Sequence, residues 1–337
     1  MSICPLTHSI REKQFTGEDF MRTVFVKDYG IHAGEKDRMN MLYLRKILEE
    51  CRNTEEAAEL IFEEGTYHFY PDYAFERTLC ISNHDEDTIK RIAFDLTDCR
   101  HLTIRGKNSA FIFHTELLAF YFHNSEDVTL EGFSIDYERP AYSEGTIVSV
   151  DGPSMQLRID KGRFPYYVAH QRIFFTGENF CHEIPFWMEV DPQKGEPSEG
   201  PYEMGFGTEP HADYGIWKEL EEGLVGVTLE GTGRMKSFDG YTPGHVIVLR
   251  HHPRNYPATY VTDSKDITFR DVTIYHCAGM GITAQFTENI LLDRGAVTGK
   301  PGSGHWFSLA ADATHFVYCR GKLRSGTASS NASWMTQ

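Results

Sequence analysis

The run Phe307-Ser-Leu-Ala-Ala-Asp-Ala-Thr-His-Phe316 places Asp312 among small residues, with His315 three positions on and the apolar stretch Phe316 to Tyr318 directly behind. Small neighbours let a ligand come close to the backbone. Asp312 can then project from a flat face as an acid, a base or a substrate ligand. Equally, it can close a turn through its own side chain. Four further segments carry groups suited to a polar substrate. Ile81-Ser-Asn-His-Asp85 offers Asn83 and His84, or is simply a loop. His251-His-Pro-Arg254 ends on Arg254, which can clamp sugar hydroxyls or lie in a solvated basic patch. Ser134-Ile-Asp-Tyr-Glu-Arg-Pro140 carries Asp136 and Glu138 at strand spacing, hence on one face. Such a pair serves acid–base chemistry or is a charged strand edge. Gln285 and His315 complete the set of candidate substrate-binding residues, which comprises Asn83, His84, Asp136, Arg254, Gln285 and His315.

Some chemistries are excluded. Gly279-Met-Gly281 is a turn and not a phosphate loop, because no strand–helix unit surrounds it. No His/Cys/Asp cluster has structural zinc spacing. There is no G-x-S-x-G elbow and no P-loop. Neither a metal nor a cofactor is expected.

The elements that must position these residues announce themselves as a repeat. Cys99-Arg-His-Leu-Thr-Ile-Arg-Gly106, Ser125-Glu-Asp-Val-Thr-Leu-Glu-Gly132, Ser264-Lys-Asp-Ile-Thr-Phe-Arg-Asp271 and Thr287-Glu-Asn-Ile-Leu-Leu-Asp-Arg294 share one form. Each opens on a small polar residue or cysteine, has Asp, Asn or His at its third position, then alternates apolar and other residues. The spacings are 290 − 267 = 23 and 128 − 102 = 26 residues. That period marks stacked coils, and the alternation is that of strands. An all-β fold, a right-handed parallel β-helix, is the expected architecture, and its long flat face suits carbohydrate.

Along the chain, residues 1–140 read as an N-terminal cap and the first coils. A strand is expected at Thr23 to Val26. A short capping helix is expected over 37–51, where Met41, Leu44, Leu48 and Cys51 form one apolar stripe. Leu60 to Phe69 reads as strand, turn, strand around Gly65. Residues 141–255 interrupt the repeat with alternating strands at Thr146–Val150, Met155–Ile159, Arg172–Phe175, Val225–Leu229 and His245–Leu249. They read as an inserted small antiparallel β-barrel or sandwich, or else as long irregular coils, with 191–210 as a loop. Coils resume over 256–323. Residues 324–337 lose both strand period and charge and read as an aberrant, disordered tail.

The chain has 337 residues and a net charge of −16. That charge disfavours nucleic acid, anionic membranes and polyanionic substrates such as pectin. Its 23 Phe and 17 Tyr suit a β-rich core and also sugar-stacking faces. The seven cysteines are scattered and never form a CxxC pair, so they read as reduced thiols. No stretch approaches the roughly 20 apolar residues of a membrane span. The N-terminus has no apolar run of signal-peptide length. A cytoplasmic location is the expectation.

Taken in order, Phe62-Glu-Glu-Gly-Thr-Tyr-His-Phe-Tyr-Pro71, Ile81 to Asp85, Phe133-Ser-Ile-Asp136, Ile274-Tyr-His-Cys-Ala-Gly-Met-Gly281 and Ala310 to Gly321 resemble glycoside hydrolase family 110, the α-1,3-galactosidases. The resemblance covers about residues 20–323, with the insert where that family carries one. It implies a β-helix, an inverting mechanism, no metal or cofactor, and a galactose-terminated oligosaccharide or glycan as substrate. It also matches Asp312 to one acidic active-site residue. The family carries an Asp-Asp pair one coil further on, and this chain does not. Read from the last base of each preceding codon, Trp334-Met-Thr336 becomes GAU-GAC, two aspartates. A frame change after about residue 323, and an impaired enzyme, are therefore expected. Two other functions fit the same scaffold. One is a polysaccharide lyase, which would need a Ca²⁺ site of several carboxylates. The other is a non-catalytic carbohydrate-binding module.

Overall fold

The computed structural model describes residues 21–52, 56–84, 87–184, 186–198, 204–205, 214–230, 236–250, 254, 256–309, 311–326 and 329–330. Their secondary structure is nearly all β, with one α-helix. Two parallel sheets form the larger part. In the first, the order is Arg22–Phe25, Ala58–Ile61, Arg100–Phe113, Glu126–Tyr137, Lys265–Ile274, Glu288–Asp293 and Arg320–Ser325. In the second, Thr88–Thr97, Leu118–His123, Thr259–Thr262, Ile282–Gln285 and Thr314–Val317 lie side by side. The chain alternates between the two sheets, adding one strand to each per circuit.

Register stacks like on like. Leu102, Val128, Ile267 and Ile290 form one column in the first sheet. Phe94 and Phe120 pair in the second, as do Leu96, Phe122, Val261 and Ala284 one step on. These side chains are buried in one continuous core. Removing such a side chain from water contributes about 1.5–3 kcal/mol each.

The repeat has a conformational cause. Its third position, His101, Asp127, Asp266 and Asn289, has φ of 50°, 55°, 56° and 58°. Each circuit turns through one left-handed residue, which Asp and Asn tolerate best after glycine. Side chains at these corners also bond between circuits, His101 Nδ1 to Asp127 Oδ2 at 2.8 Å and Asn289 Nδ2 to Asp266 Oδ1 at 2.7 Å. The opening residue caps the corner. Ser125 Oγ, Ser264 Oγ and Thr287 Oγ1 each donate to the carbonyl two residues back, at 3.1, 2.8 and 2.8 Å. The Cys99 thiol takes the same place at 3.8 Å from the Thr97 carbonyl. The described cysteines are free thiols.

The helix runs Asn40–Arg52 and buries Met41, Leu44, Leu48 and Cys51, with Ile47, against the same core. Asp37 accepts the Met39 N–H at 2.8 Å at its start. No helix among the described residues is long and apolar enough to cross a membrane.

The strand, turn, strand around Gly65 forms as Ala58–Ile61 and Thr66–Phe69, both parallel to Arg100–Phe113. Gly65 turns them at φ 146°, and a Cβ there would come within 2.5 Å of Ala33 Cβ. Phe75–Leu79 is antiparallel to Thr88–Thr97, outside the coil pattern, because the connection is too short for a parallel crossover. The segment expected to be an aberrant tail continues the sheets at first. Arg320–Ser325 pairs with Glu288–Asp293, and Ser329–Ser330 pairs with Ala296–Val297. Backbone pairing, not side-chain pattern, sets these strands. Trp334 to Thr336 lie outside the described residues.

Between Glu126–Tyr137 and Thr259–Thr262 the pairing turns antiparallel. One sheet joins Tyr142–Asp151, Ser154–Arg158, Phe186–Asp191, Glu196–Pro197, Met204–Gly205, Tyr214–Glu221, Leu224–Glu230 and Val246–Arg250. A second joins Tyr166–Ala169, Arg172–Gly177 and Phe180–His182. They share a core around Trp187, which donates from Nε1 to the Tyr241 hydroxyl at 3.0 Å. The stretch read as loop holds the short strands Glu196–Pro197 and Met204–Gly205.

Candidate active site

Residues picked out across the whole sequence meet at one end of the second parallel sheet. Thr283 pairs with His315 and Gln285 with Val317, so Gln285 and His315 sit on neighbouring strands. The turn at 81–84 lies against them. The Ser82 N–H donates to Gln285 Oε1 at 2.5 Å, and Ser82 Oγ is 3.2 Å from His315 Nε2. His315 Nδ1 in turn faces Asp312 Oδ2 at 3.4 Å. Asn83, left-handed at φ 55°, accepts from Arg254 Nη1 at 3.1 Å. His84 folds back with Nδ1 3.0 Å from the Ser82 carbonyl. The Asp312 carbonyl accepts the Gly281 N–H at 2.9 Å, which ties the aspartate to the preceding circuit.

Five of the six expected substrate-binding residues thus join Asp312 in one polar cluster. The side chains of Asp312 and His315 remain 20% and 24% exposed, open enough for a ligand yet anchored. Among the residues named here Asp312 is the one carboxylate. Ser82, His315 and Asp312 follow the order of a nucleophile relay, but 3.4 Å between His315 and Asp312 exceeds the reach that orients a base.

Gly279 is needed for this packing. A Cβ there would lie 2.7 Å from His84 Nε2 and 3.0 Å from the Tyr256 carbonyl. The Tyr256 backbone cannot yield cheaply. Gly279→Ala is expected to destabilise by about 1–3 kcal/mol and to move His84. Urea unfolding checks the first effect. A midpoint equal to that of the parent would show that the 81–84 turn is not held here.

Asp136 lies elsewhere, and of the two readings of its segment, a reacting carboxylate pair or a charged strand edge, the pair does not form. Asp136 lies near the end of a strand of the first sheet, is only 4% exposed, and binds an imidazole and an ammonium. Its Oδ1 is 2.6 Å from His276 Nδ1 and its Oδ2 accepts from Lys300 Nζ at 2.7 Å. Burial pushes this carboxyl up, but the hydrogen bonds and charges of His276 and Lys300 outweigh it and hold it below its ordinary value. Glu138 is half-exposed and pairs with Lys36 at 3.3 Å. The strand spacing was right for one face, but each carboxylate takes its own cation. A cavity of about 240 Å³ opens beside them, lined by Asp136, Glu138, His276, Lys300 and His305.

The structure also gathers His68, His114 and Glu138, whose ligand atoms lie within 4.8 Å of one another. No zinc spacing betrays them, because 46 residues separate the histidines and 138 − 114 = 24 separate His114 from Glu138. A histidine inside the apolar strand Thr66–Phe69 was the available signal.

Residues 143–237 match the family model described as GLAA-B beta-barrel domain I. The chain is 30% identical over 259 residues to an alpha-1,3-galactosidase B of Akkermansia muciniphila, covering 77% of this chain and 31% of that protein. It is 30% identical over 308 residues to an alpha-1,3-galactosidase A of Shewanella woodyi, covering 89% and 48%. It is 26% identical over 316 residues to an alpha-1,3-galactosidase B of Bacteroides thetaiotaomicron, covering 93% and 49%. The chain therefore spans between about a third and a half of the length of these relatives. A solved structure from Parabacteroides merdae aligns over 89% of this chain and 96% of its own at 10% identity, with a TM-score of 0.31, too low to bear on the fold. Over most of its length the chain is thus similar in sequence to proteins named alpha-1,3-galactosidase, the likeness its ordered motifs led us to expect.

Proposed function

We propose that this chain is a glycosidase of the α-galactosidase type, built to act on terminal α-1,3-linked galactosyl residues with inversion, and that Asp312 is one of the two reacting carboxylates. The observation that carries the reading is the convergence of Asn83, His84, Arg254, Gln285 and His315 on the edge that holds Asp312. Amide, imidazole and guanidinium groups suit sugar hydroxyls, and a part-exposed carboxylate suits proton transfer to or from a glycosidic oxygen. The names of the relatives supply the linkage.

The scaffold we propose is a right-handed parallel β-helix over 21–140 and 256–323, with an inserted antiparallel β-domain over 141–255. Parallel crossovers are right-handed in nearly all proteins. Strands about 4.8 Å apart let carboxylates on successive circuits straddle a glycosidic bond. Inversion needs a second carboxylate about 6.5–9.5 Å from the first, with water between. Since Asp312 is the one carboxylate among the gathered residues, we expect galactoside binding with turnover far below the ~1 s⁻¹ floor of ordinary enzymes.

The test is galactose release from an α-1,3-linked galactobiose, with the first-formed anomer followed by NMR, for the parent and for Asp312→Asn. The expected result is slow release of the β-anomer by the parent, none by the variant, and galactoside binding by both. Release unchanged in Asp312→Asn would overturn the role of Asp312. Release at tens per second would overturn the impairment. An unsaturated sugar product would favour the lyase reading.

A further inference from the structure

We propose that His68, His114 and Glu138 form a site for one divalent transition-metal ion, with Zn²⁺ as the occupant their chemistry selects. The site stands apart from the Asp312 cluster, and neither proposal depends on the other.

The backbone brings the three together. Phe69 pairs with Phe113 and Phe113 with Tyr137 on adjacent parallel strands. The next step continues that ladder, since the His114 N–H donates to the Phe69 carbonyl at 2.9 Å and the Glu138 N–H to the Phe113 carbonyl at 3.0 Å. His68 stands one residue before Phe69. The result is two imidazoles and a carboxylate side by side at the end of three strands.

Their donor atoms face each other. His68 Nδ1 and His114 Nε2 are 2.9 Å apart. Tetrahedral zinc, with Zn–N of 2.0–2.1 Å, needs about 3.3 Å between two nitrogens, so a small opening of the rings admits the ion. Both rings are buried, at 6% and 4% exposure. Two histidines and one carboxylate are a borderline donor set that suits zinc better than calcium or magnesium.

The surroundings fix the ligands as metal sites require. The far nitrogen of His114, Nδ1, faces Glu178 Oε2 at 3.5 Å. The Tyr70 ring stacks on His114 with centroids 3.9 Å apart and planes 13° apart. Asn40 Nδ2 donates to the His68 carbonyl at 3.0 Å. Glu138, 50% exposed, is the gate to solvent, and an incoming ion would displace the Lys36 ammonium that it pairs with at 3.3 Å. Bound there, the ion would tie three neighbouring strands together.

The experiment titrates the chelator-treated, dialysed full chain with Zn²⁺ by calorimetry and with Co²⁺ by visible spectroscopy, alongside thermal unfolding. One equivalent should bind, the melting temperature should rise by several degrees, and the Co²⁺ spectrum should lack a thiolate charge-transfer band. His114→Gln should abolish stoichiometric binding. Glu138→Gln, at a half-exposed position that leaves the core intact, should weaken it at least tenfold. No binding at micromolar metal, a thiolate band, or unchanged affinity in Glu138→Gln would each overturn the site.

Discussion

Between pH 9 and 12 the protein loses most of its stability, and four buried tyrosines ionise as it unfolds and not before. Burial pushes the hydroxyls of Tyr121, Tyr241, Tyr256 and Tyr260 up to about 12, and the thiols of Cys99 and Cys277 likewise to about 12. All six are at most 8% exposed. Their folded values exceed the unfolded ones, near 10 for tyrosine and 9 for cysteine. Their contribution is therefore complete below the unfolded values and disappears as pH climbs towards the folded ones. A gap of two to three units is worth roughly 3–4 kcal/mol, as an upper bound. Several such groups together are comparable with the whole stability of an ordinary domain, about 5–15 kcal/mol. The check is urea unfolding from pH 8 to 11 with tyrosinate absorbance followed in parallel. The absorbance owed to the four buried tyrosines should rise with the loss of near-ultraviolet dichroism. Ionisation of those four near pH 10 with the fold intact would contradict the burial. Tyr260→Phe should flatten the alkaline limb, though it forfeits the hydrogen bond to the Cys80 carbonyl at 3.0 Å.

The stacked strands are legible because each circuit repeats one physical requirement. A left-handed corner recruits His101, Asp127, Asp266 and Asn289, and a buried corner hydroxyl recruits Ser125, Ser264 and Thr287. Both leave a mark at fixed spacing. The helix stripe is legible for the same reason, since period 3.6 is local. Strands whose side chains carry no such mark escape. Arg320–Ser325 is exposed throughout and is held by its neighbour's backbone. Polar clusters escape for a different reason. Ser82 meets Gln285 across 203 residues, and Asp136 meets His276 and Lys300 across 140 and 164. Residue type marks these groups as interesting, but only the stacking of circuits decides which of them touch. Asp136 fails as a partner of the other candidates on that ground, since its strand belongs to the other sheet. The aromatic content had two readings, core and sugar face, and the described Phe stacks lie inside. By contrast, Phe286 and Tyr318 stack on each other at the surface, 54% and 81% exposed, and Tyr167, 45% exposed, stacks on Phe174.

Those interior stacks carry the largest single-residue effect. Phe111 is fully buried, and its ring meets rings from several circuits. Phe133 lies at 4.4 Å and 14°, Phe62 at 4.6 Å and 56°, Phe69 at 5.5 Å and 68°, and Phe94 at 5.8 Å and 1°. Offset and edge-on contacts of this kind add about 0.5–1.5 kcal/mol beyond area burial. The neighbours are fixed by the hydrogen-bonded ladders on both sides, so they cannot collapse into the gap. Phe111→Ala should therefore lower the unfolding free energy by about 3–5 kcal/mol, with Phe111→Leu well below that because volume is largely kept. Because the ring bridges circuits and not one strand pair, the loss should appear as a fall in the urea midpoint of the whole parallel-sheet body. A separate early transition of residues 58–69 alone would show the opposite, that the first circuits pack independently of those beyond the antiparallel segment. A loss under 1 kcal/mol would mean that the ring column does not hold the sheets together.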